Sequence, residues 1–260
     1  MDLAQVIVLA LIQGILEFLP VSSSGHLILV PALVGWEDQG LGFDIAVHLG
    51  TLVAVVGYFR RDLVEMAASF FSPRCLEAGL TWAIIWGTVP LTVAGWLVAE
   101  QIAGVFRSPV IIAGATGIFG LLLWAADHFT DGKRSERAVS WHRAVLIGLG
   151  QALALVPGVS RSGITMTVAM ALGLSREGAA RFSFLLAIPA LSLAAGWQLL
   201  QFAKDPEPVF WGILALAVVV SAATAFLTIT LFIGLIRRMS MWIFALYRLI
   251  LAGVIFYIFL

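Results

Sequence analysis

Charge is what this sequence has least of. Only 12% of its 260 residues are Asp, Glu, Lys or Arg, and the formal charges cancel to zero at pH 7. A soluble domain carries about a quarter charged residues, so too little polar surface remains to wet a globule. The neutral balance provides no basic face for nucleic-acid phosphates, and nucleic acid is excluded as a partner. Cysteine occurs once, at Cys75 beside Arg74, which excludes a disulfide framework. With no His or second Cys near it in sequence, Cys75 is read as incidental. The first apolar stretch, 3–19, has no basic segment ahead of it and ends in Glu17 and Pro20 rather than in small residues. It is therefore expected to belong to the mature fold and not to a cleaved leader.

What the chain does have is apolar length. Hydrophobic residues make up 61% of it, and the mean hydropathy is +1.04; the solvent this composition suits is lipid. A helix needs roughly 17–25 apolar residues to cross a bilayer. Six segments qualify: 43–59, 80–99, 109–126, 179–200, 209–235 and 241–260. Two further regions, 3–35 and 144–173, read differently. In each, an apolar run meets a loop rich in Ser and Gly, and a second apolar arm of only about ten residues follows, too short to cross. Such a pair of arms predicts a re-entrant hairpin, tolerated at membrane depth only where its loop is buried in protein or lines a wet cavity.

The two regions are also copies of one another. Leu11 matches Leu149, Gln13 matches Gln151, Val21 matches Val159, Ser22 matches Ser160, Ser24 matches Ser162, Gly25 matches Gly163, Val30 matches Val168 and Gly35 matches Gly173, all in one register. The expectation is a single membrane domain over 1–260, with repeat one about 1–130 and repeat two about 139–260. Each half contributes one hairpin and three crossings. An odd number of crossings inverts the second half, so the predicted fold is an all-α polytopic membrane protein with an inverted-topology repeat, six transmembrane helices and two re-entrant helical hairpins.

Loop charges orient it. Arg60, Arg61, Arg74, Lys133, Arg134, Arg137, Arg143, Arg176, Arg181, Arg237 and Arg238 fall on one side of this topology, against Arg107 and Lys204 on the other. The basic side is cytoplasmic by the positive-inside rule, which puts both termini outside and opens the first hairpin to the outer side.

Ionisable residues at membrane depth are functional candidates by default. Here they are Glu17, His26, Arg161 and Arg248, with Asp44 and His48 near a span end. Arg161 offers a forked cation suited to phosphate oxygens. Ser160, Ser162 and Thr165, with the free backbone N–H groups of the loop through Gly163, form an anion-binding helix start. His26 is a candidate base for a hydroxyl among Ser22, Ser23 and Ser24. Ser22 and Ser24 read first as helix caps, because the second copy keeps serine at both places; Ser23 reads as functional. Gln13 and Glu17, four residues apart, share a helix face and could hold a divalent cation bridged by phosphate oxygens. The two copies agree where backbone shape matters and differ at Glu17 against Leu155, Ser23 against Arg161 and His26 against Ile164. Gly114, Gly117 and Gly120 read as small-residue helix packing. Asp44 and His48, one turn apart, could line the mouth of a cavity but read first as a solvated span end.

The stretch from Gln13 and Glu17 into Phe18-Leu19-Pro20-Val21-Ser22-Ser23-Ser24-Gly25-His26, and the stretch Pro157-Gly158-Val159-Ser160-Arg161-Ser162-Gly163-Ile164-Thr165, resemble the two motifs of the undecaprenyl-pyrophosphate phosphatase family, the integral membrane type linked to bacitracin resistance. Length and hydrophobic pattern agree from end to end. The resemblance implies hydrolysis of a C55 polyprenyl pyrophosphate lipid to the monophosphate in the bacterial inner membrane, recycling the carrier for cell-wall synthesis. It implies a divalent cation, Mg or Ca. It implies Glu17 as key carboxylate, Gln13 where some members have glutamate, His26 and Arg161 as the motif His and Arg, and Ser23 as the serine nucleophile, with water in its place as the alternative. A lipid flippase or secondary transporter built on the same inverted-repeat cleft is the rival reading, and a homodimer is compatible with the small residues on the spans.

Overall fold

The computed structural model describes residues 1–70, 76–105, 108–204 and 210–259, with the side chains of all but 76–78 and 99–105 among them. Arg74, Cys75, Arg107, the first residue of the 209–235 span and Leu260 lie outside these residues. The described residues are helical throughout their long elements, and none of them forms a strand.

Six helices are long and apolar enough to cross a membrane: α3 (Gly40–Tyr58), the stretch Gly79–Val98 of α5 (Leu76–Val105), α6 (Pro109–Phe129), α9 (Arg176–Lys204), α10 (Trp211–Leu235) and α11 (Trp242–Phe259). Four are short: α1 (Leu3–Leu16), α2 (Ser23–Val34), α7 (Trp141–Ala152) and α8 (Arg161–Ala171). At ~1.5 Å per residue, none of these four reaches across a ~30 Å core. The remaining helix, α4 (Arg60–Ser69), follows directly on α3 with one interruption at Phe59. It is more polar than the spans and was not foreseen as a separate element.

Small residues set the packing. α1 and α3 both lie against α10, where Gly14 and Gly50 admit it to backbone distance. A Cβ on Gly14 would stand 2.8 Å from the Ser221 carbonyl, and one on Gly50 would overlap the Ser221 side chain. α5 and α7 meet through Gly87 and Gly148 in the same manner. α6 packs on α11 through Gly117, which faces Ala252, and Gly120, which faces Arg248. Lipid tails compete equally for apolar side chains, so helices associate in a bilayer where backbones approach closely. Gly114 has open space beside it and takes no part.

One end of the bundle carries a charged layer. Asp127, at the end of α6, receives Arg176, the Ser240 hydroxyl (2.7 Å) and the Met241 N–H (2.9 Å). Arg181 bridges Glu136 (2.7 Å) and Asp62 (2.8 Å), and Arg237 forms a two-pronged pair with Glu177 (2.6 and 2.7 Å). The loop at Arg134 joins the layer by pairing with Gly173 and Ser175. These contacts gather the ends of α6 and α10 and the starts of α4, α9 and α11 on one side.

Four backbone positions stand out. Ser22 (φ 72°) and Ser160 (φ 69°) are left-handed and not glycine, and Gly35 (φ 71°) and Gly173 (φ 90°) end the helices that the two serines begin.

Candidate active site

The helices α1 and α7 end a few residues ahead of a proline, whose missing N–H keeps the ladder from resuming. Pro20 and Pro157 stand there. Each chain then turns through a left-handed serine into the next short helix. Such a conformation costs an L-residue roughly 1–2 kcal/mol and persists only where surroundings hold it. Here the surroundings are the opposite loop and Arg248. Ser162 Oγ donates to the Leu19 carbonyl at 2.8 Å. The Arg248 guanidinium, wholly buried, donates to Pro20 O (3.3 Å), Gly158 O (2.9 Å), Val159 O (2.9 Å) and Thr116 O (3.0 Å). A single cation therefore ties together the carbonyls of both loops and α6, and no carboxylate pairs with it among the described residues.

Glu17 is the hub of the polar cluster. Its Oε1 accepts from Arg161 at 2.8 Å; its Oε2 accepts from Ser23 Oγ at 2.6 Å and from Gln13 Nε2 at 2.9 Å. Arg161 also donates to Ser183 O at 3.2 Å and lies 5.9 Å from the centre of the Phe18 ring, a favourable cation–ring distance. Two of its nitrogens are thus anchored, and it keeps donors for an incoming anion. Ser160 Oγ caps α8 by accepting from Gly163 N–H at 3.2 Å, whereas Ser22 occupies the corresponding cap position of α2 without a side-chain cap bond.

A cavity of about 230 Å³ opens on this cluster. Glu17, Ser22, Ser23, Ser24, Ser160, Arg161 and Ser162 form its polar wall, and Leu91, Ala190, Leu191, Ala194 and Ala195 extend it along α5 and α9 as an apolar wall. Gln13, His26, Gly163 and Thr165 stand behind this lining. Thr165 is turned to the protein, donating to Arg161 O (2.8 Å) and accepting from Ser183 Oγ (2.6 Å). His26 is joined through Nδ1 to the Ser22 carbonyl (2.8 Å) and through Nε2 to the Tyr247 hydroxyl (2.5 Å), with its ring stacked on that tyrosine. The structure thus gives Ser23 to Glu17 and His26 to Tyr247.

For a metal the donor set is small. Among the described residues no group of three or more His, Cys, Asp or Glu side chains converges. Gln13 Oε1, however, is buried without a hydrogen-bond partner, and it lies on the same side chain that touches Glu17. One carboxylate and one orphaned amide oxygen fit a cation that takes most of its ligands from substrate phosphates and water, as Mg²⁺ does.

Sequence reasoning left out the supporting residues. Arg248 was visible as a buried charge but had no role, and Tyr247, Thr116 and Ser183 carried no signal, since their partners are at least 18 residues away in sequence. His48, read first as a solvated span end and second as a residue of the cavity mouth, lines the cavity.

Six helices long and apolar enough to cross a membrane, around a buried cluster of Glu, Ser and Arg that opens on a cavity, define a polytopic membrane protein. The family model described as bacitracin resistance protein BacA matches residues 6–254, and the chain belongs to that family. It is 52% identical over 267 residues to undecaprenyl-diphosphatase 2 of Stutzerimonas stutzeri (strain A1501), covering 100% of this chain and 99% of that protein. It is 48% identical to the undecaprenyl-diphosphatase of Nitrosococcus oceani and 47% identical to that of Campylobacter concisus, each over 100% of both chains.

Proposed function

We propose that this chain hydrolyses undecaprenyl pyrophosphate to the monophosphate and inorganic phosphate, returning the lipid carrier to cell-wall synthesis. Membership of the family and full-length identity near one half to proteins named for that activity support the reaction. The observation that carries the chemistry is the 2.6 Å bond from Ser23 Oγ to a Glu17 carboxylate whose other oxygen holds Arg161.

The reaction we assign to it runs as follows. The pyrophosphate enters the polar half of the cavity, with its prenyl tail along the apolar wall of α5 and α9. Arg161 turns its free donors to the phosphates, with the Ser160 and Ser22 hydroxyls and the N–H groups at the start of α8, while Ser162 keeps the two loops together through the Leu19 carbonyl. Gly163 steadies the Ser160 hydroxyl through its N–H, and Thr165 holds Arg161 from behind. Glu17 Oε2 takes the Ser23 proton as Oγ bonds to the terminal phosphorus. The bond from that phosphorus to the bridging oxygen breaks, and its electron pair leaves with the prenyl monophosphate. Water then cleaves the phosphoserine and Ser23 regains its proton. In the alternative, water in the place of Ser23 attacks directly and loses its proton to Glu17. His26, bound to Tyr247, fixes the Ser22 carbonyl and so the turn that presents Ser23. Glu17 and Gln13 would hold a divalent cation, Mg or Ca, which when bound offsets phosphate charge.

We further read α1–α2 and α7–α8 as two re-entrant hairpins, and the two halves as an inverted repeat within one membrane domain. Short arms support the first reading. The second is supported by the pairing of Ser22 with Ser160 and Gly35 with Gly173, matched positions of the sequence copies that share left-handed backbone. With the charged layer cytoplasmic, the protein lies in the inner membrane with both termini outside and the cavity open to the outer side.

The test is phosphate release by the purified protein in detergent from farnesyl or undecaprenyl pyrophosphate, with and without EDTA, beside Arg161→Ala. Release that EDTA and the substitution both abolish is expected. Full release by Arg161→Ala would remove the second loop from the site, and release untouched by EDTA would remove the cation.

A further inference from the structure

We propose that His48 binds the pyrophosphate of the substrate as a third contact element, from α3, an inference that rests on the pyrophosphatase reading above. His48 sits near the middle of the 19-residue α3, at membrane depth, where an unmatched polar atom is costly. Its Nδ1 lies 2.7 Å from the Asp44 carbonyl one turn back. A carbonyl oxygen only accepts, so Nδ1 carries a proton and the ring is fixed on its own helix. That leaves Nε2, which makes no hydrogen bond among the described residues, while the side chain lines the same cavity as Glu17, Ser23, Ser160 and Arg161.

His26 is placed differently. Both of its ring nitrogens are occupied, by the Ser22 carbonyl and the Tyr247 hydroxyl, and it is absent from the cavity wall. Of the two imidazoles in this region, His48 is the one a bound anion would meet. With protons on both ring nitrogens, its Nε2–H makes a charge-assisted bond to a phosphate oxygen. The contact needs a donor at the reach of Nε2 and no proton transfer. Gln, whose amide extends to about the same distance, should supply it; Leu, of similar bulk, cannot, and Asn falls short.

Steady-state phosphate release from farnesyl pyrophosphate by the purified full-length chain in detergent separates the outcomes. His48→Leu is expected to raise KM about 10-fold or more, the worth of a hydrogen bond to a charged group. His48→Gln is expected to stay within about 3-fold of the parent by the same contact. Inorganic pyrophosphate as competing inhibitor should weaken in parallel with KM. His48→Asn is expected to behave as Leu and serves where Leu does not fold. A KM within 2-fold of the parent for Leu or Asn (about 0.4 kcal/mol) overturns the contact, and equal losses in Gln and Leu overturn its description as a hydrogen bond. No phosphate release by the parent protein would instead sink the pyrophosphatase reading.

Discussion

At the scale of single residues, Arg248 holds the most contacts that the sequence could not foretell. Its five N–H groups fan out in a plane, which is why one side chain reaches carbonyls on Pro20, Thr116, Gly158 and Val159 at once. Lysine has a compact head and cannot span them. Arg248→Met should therefore cost about 3 kcal/mol or more, since it strands acceptors in a dry interior, and Arg248→Lys should fall between. Thermal unfolding in detergent measures both. A Met variant as stable as the parent would mean that the carbonyls find other donors and that the clamp is dispensable. Glu17, Ser23, Arg161, Ser160 and Ser162 were all legible as a group, because charged and hydroxyl residues are conspicuous in a chain so poor in them. Their pairing was not legible. Ser23 and His26 sit three residues apart and suggest a couple, yet α2 begins at Ser23 and carries the ring back toward the Ser22 carbonyl and out to Tyr247. The hydroxyl is left to a carboxylate on the preceding turn.

Among elements, the crossing helices were the most readable, since bilayer thickness demands a run of about 20 apolar residues and little else supplies one. Observed and expected spans differ by a few residues at their ends, as with α9, which starts at Arg176 rather than 179 because Arg176 and Arg181 extend the helix into the charged layer. The left-handed serines were beyond reach, for nothing in a Ser codes a positive φ. They yield a contrast. Ser22 makes no side-chain cap bond, so Ser22→Gly removes backbone strain at no loss of capping and should leave stability equal or higher by up to about 1 kcal/mol. Ser160 caps Gly163 N–H, so Ser160→Gly offsets the same relief with a lost cap worth about a few tenths of a kcal/mol. Urea or thermal unfolding of the two variants in one detergent should rank Ser22→Gly above Ser160→Gly. The reverse order would show that the Ser22 hydroxyl does more than its geometry indicates.

For the whole molecule, the proposed orientation rests on two features that agree. Arginines outnumber other cations in the loops assigned to the cytoplasm, and the structure gathers Arg176, Arg181 and Arg237 into one layer with Asp127, Asp62, Glu136 and Glu177. A layer so dense in charge stays at a membrane surface, because moving it through the hydrocarbon core would desolvate every member. In the proposed topology the first residues of α1 and the last of α11 lie on the far side, given the crossings between. Cysteine labelling in intact bacteria checks this, starting from a chain in which Cys75 is replaced by Ser. A membrane-impermeant maleimide should modify Asp2→Cys directly, and Lys133→Cys, an exposed residue of the loop beside the charged layer, only after permeabilisation. Ser24→Cys, which the cavity wall exposes, should react from the outer side and be shielded by inorganic pyrophosphate. Labelling of Lys133→Cys in intact cells with Asp2→Cys protected would turn the molecule over. The cavity would then face the cytoplasm, and the enzyme would meet its substrate in the inner leaflet.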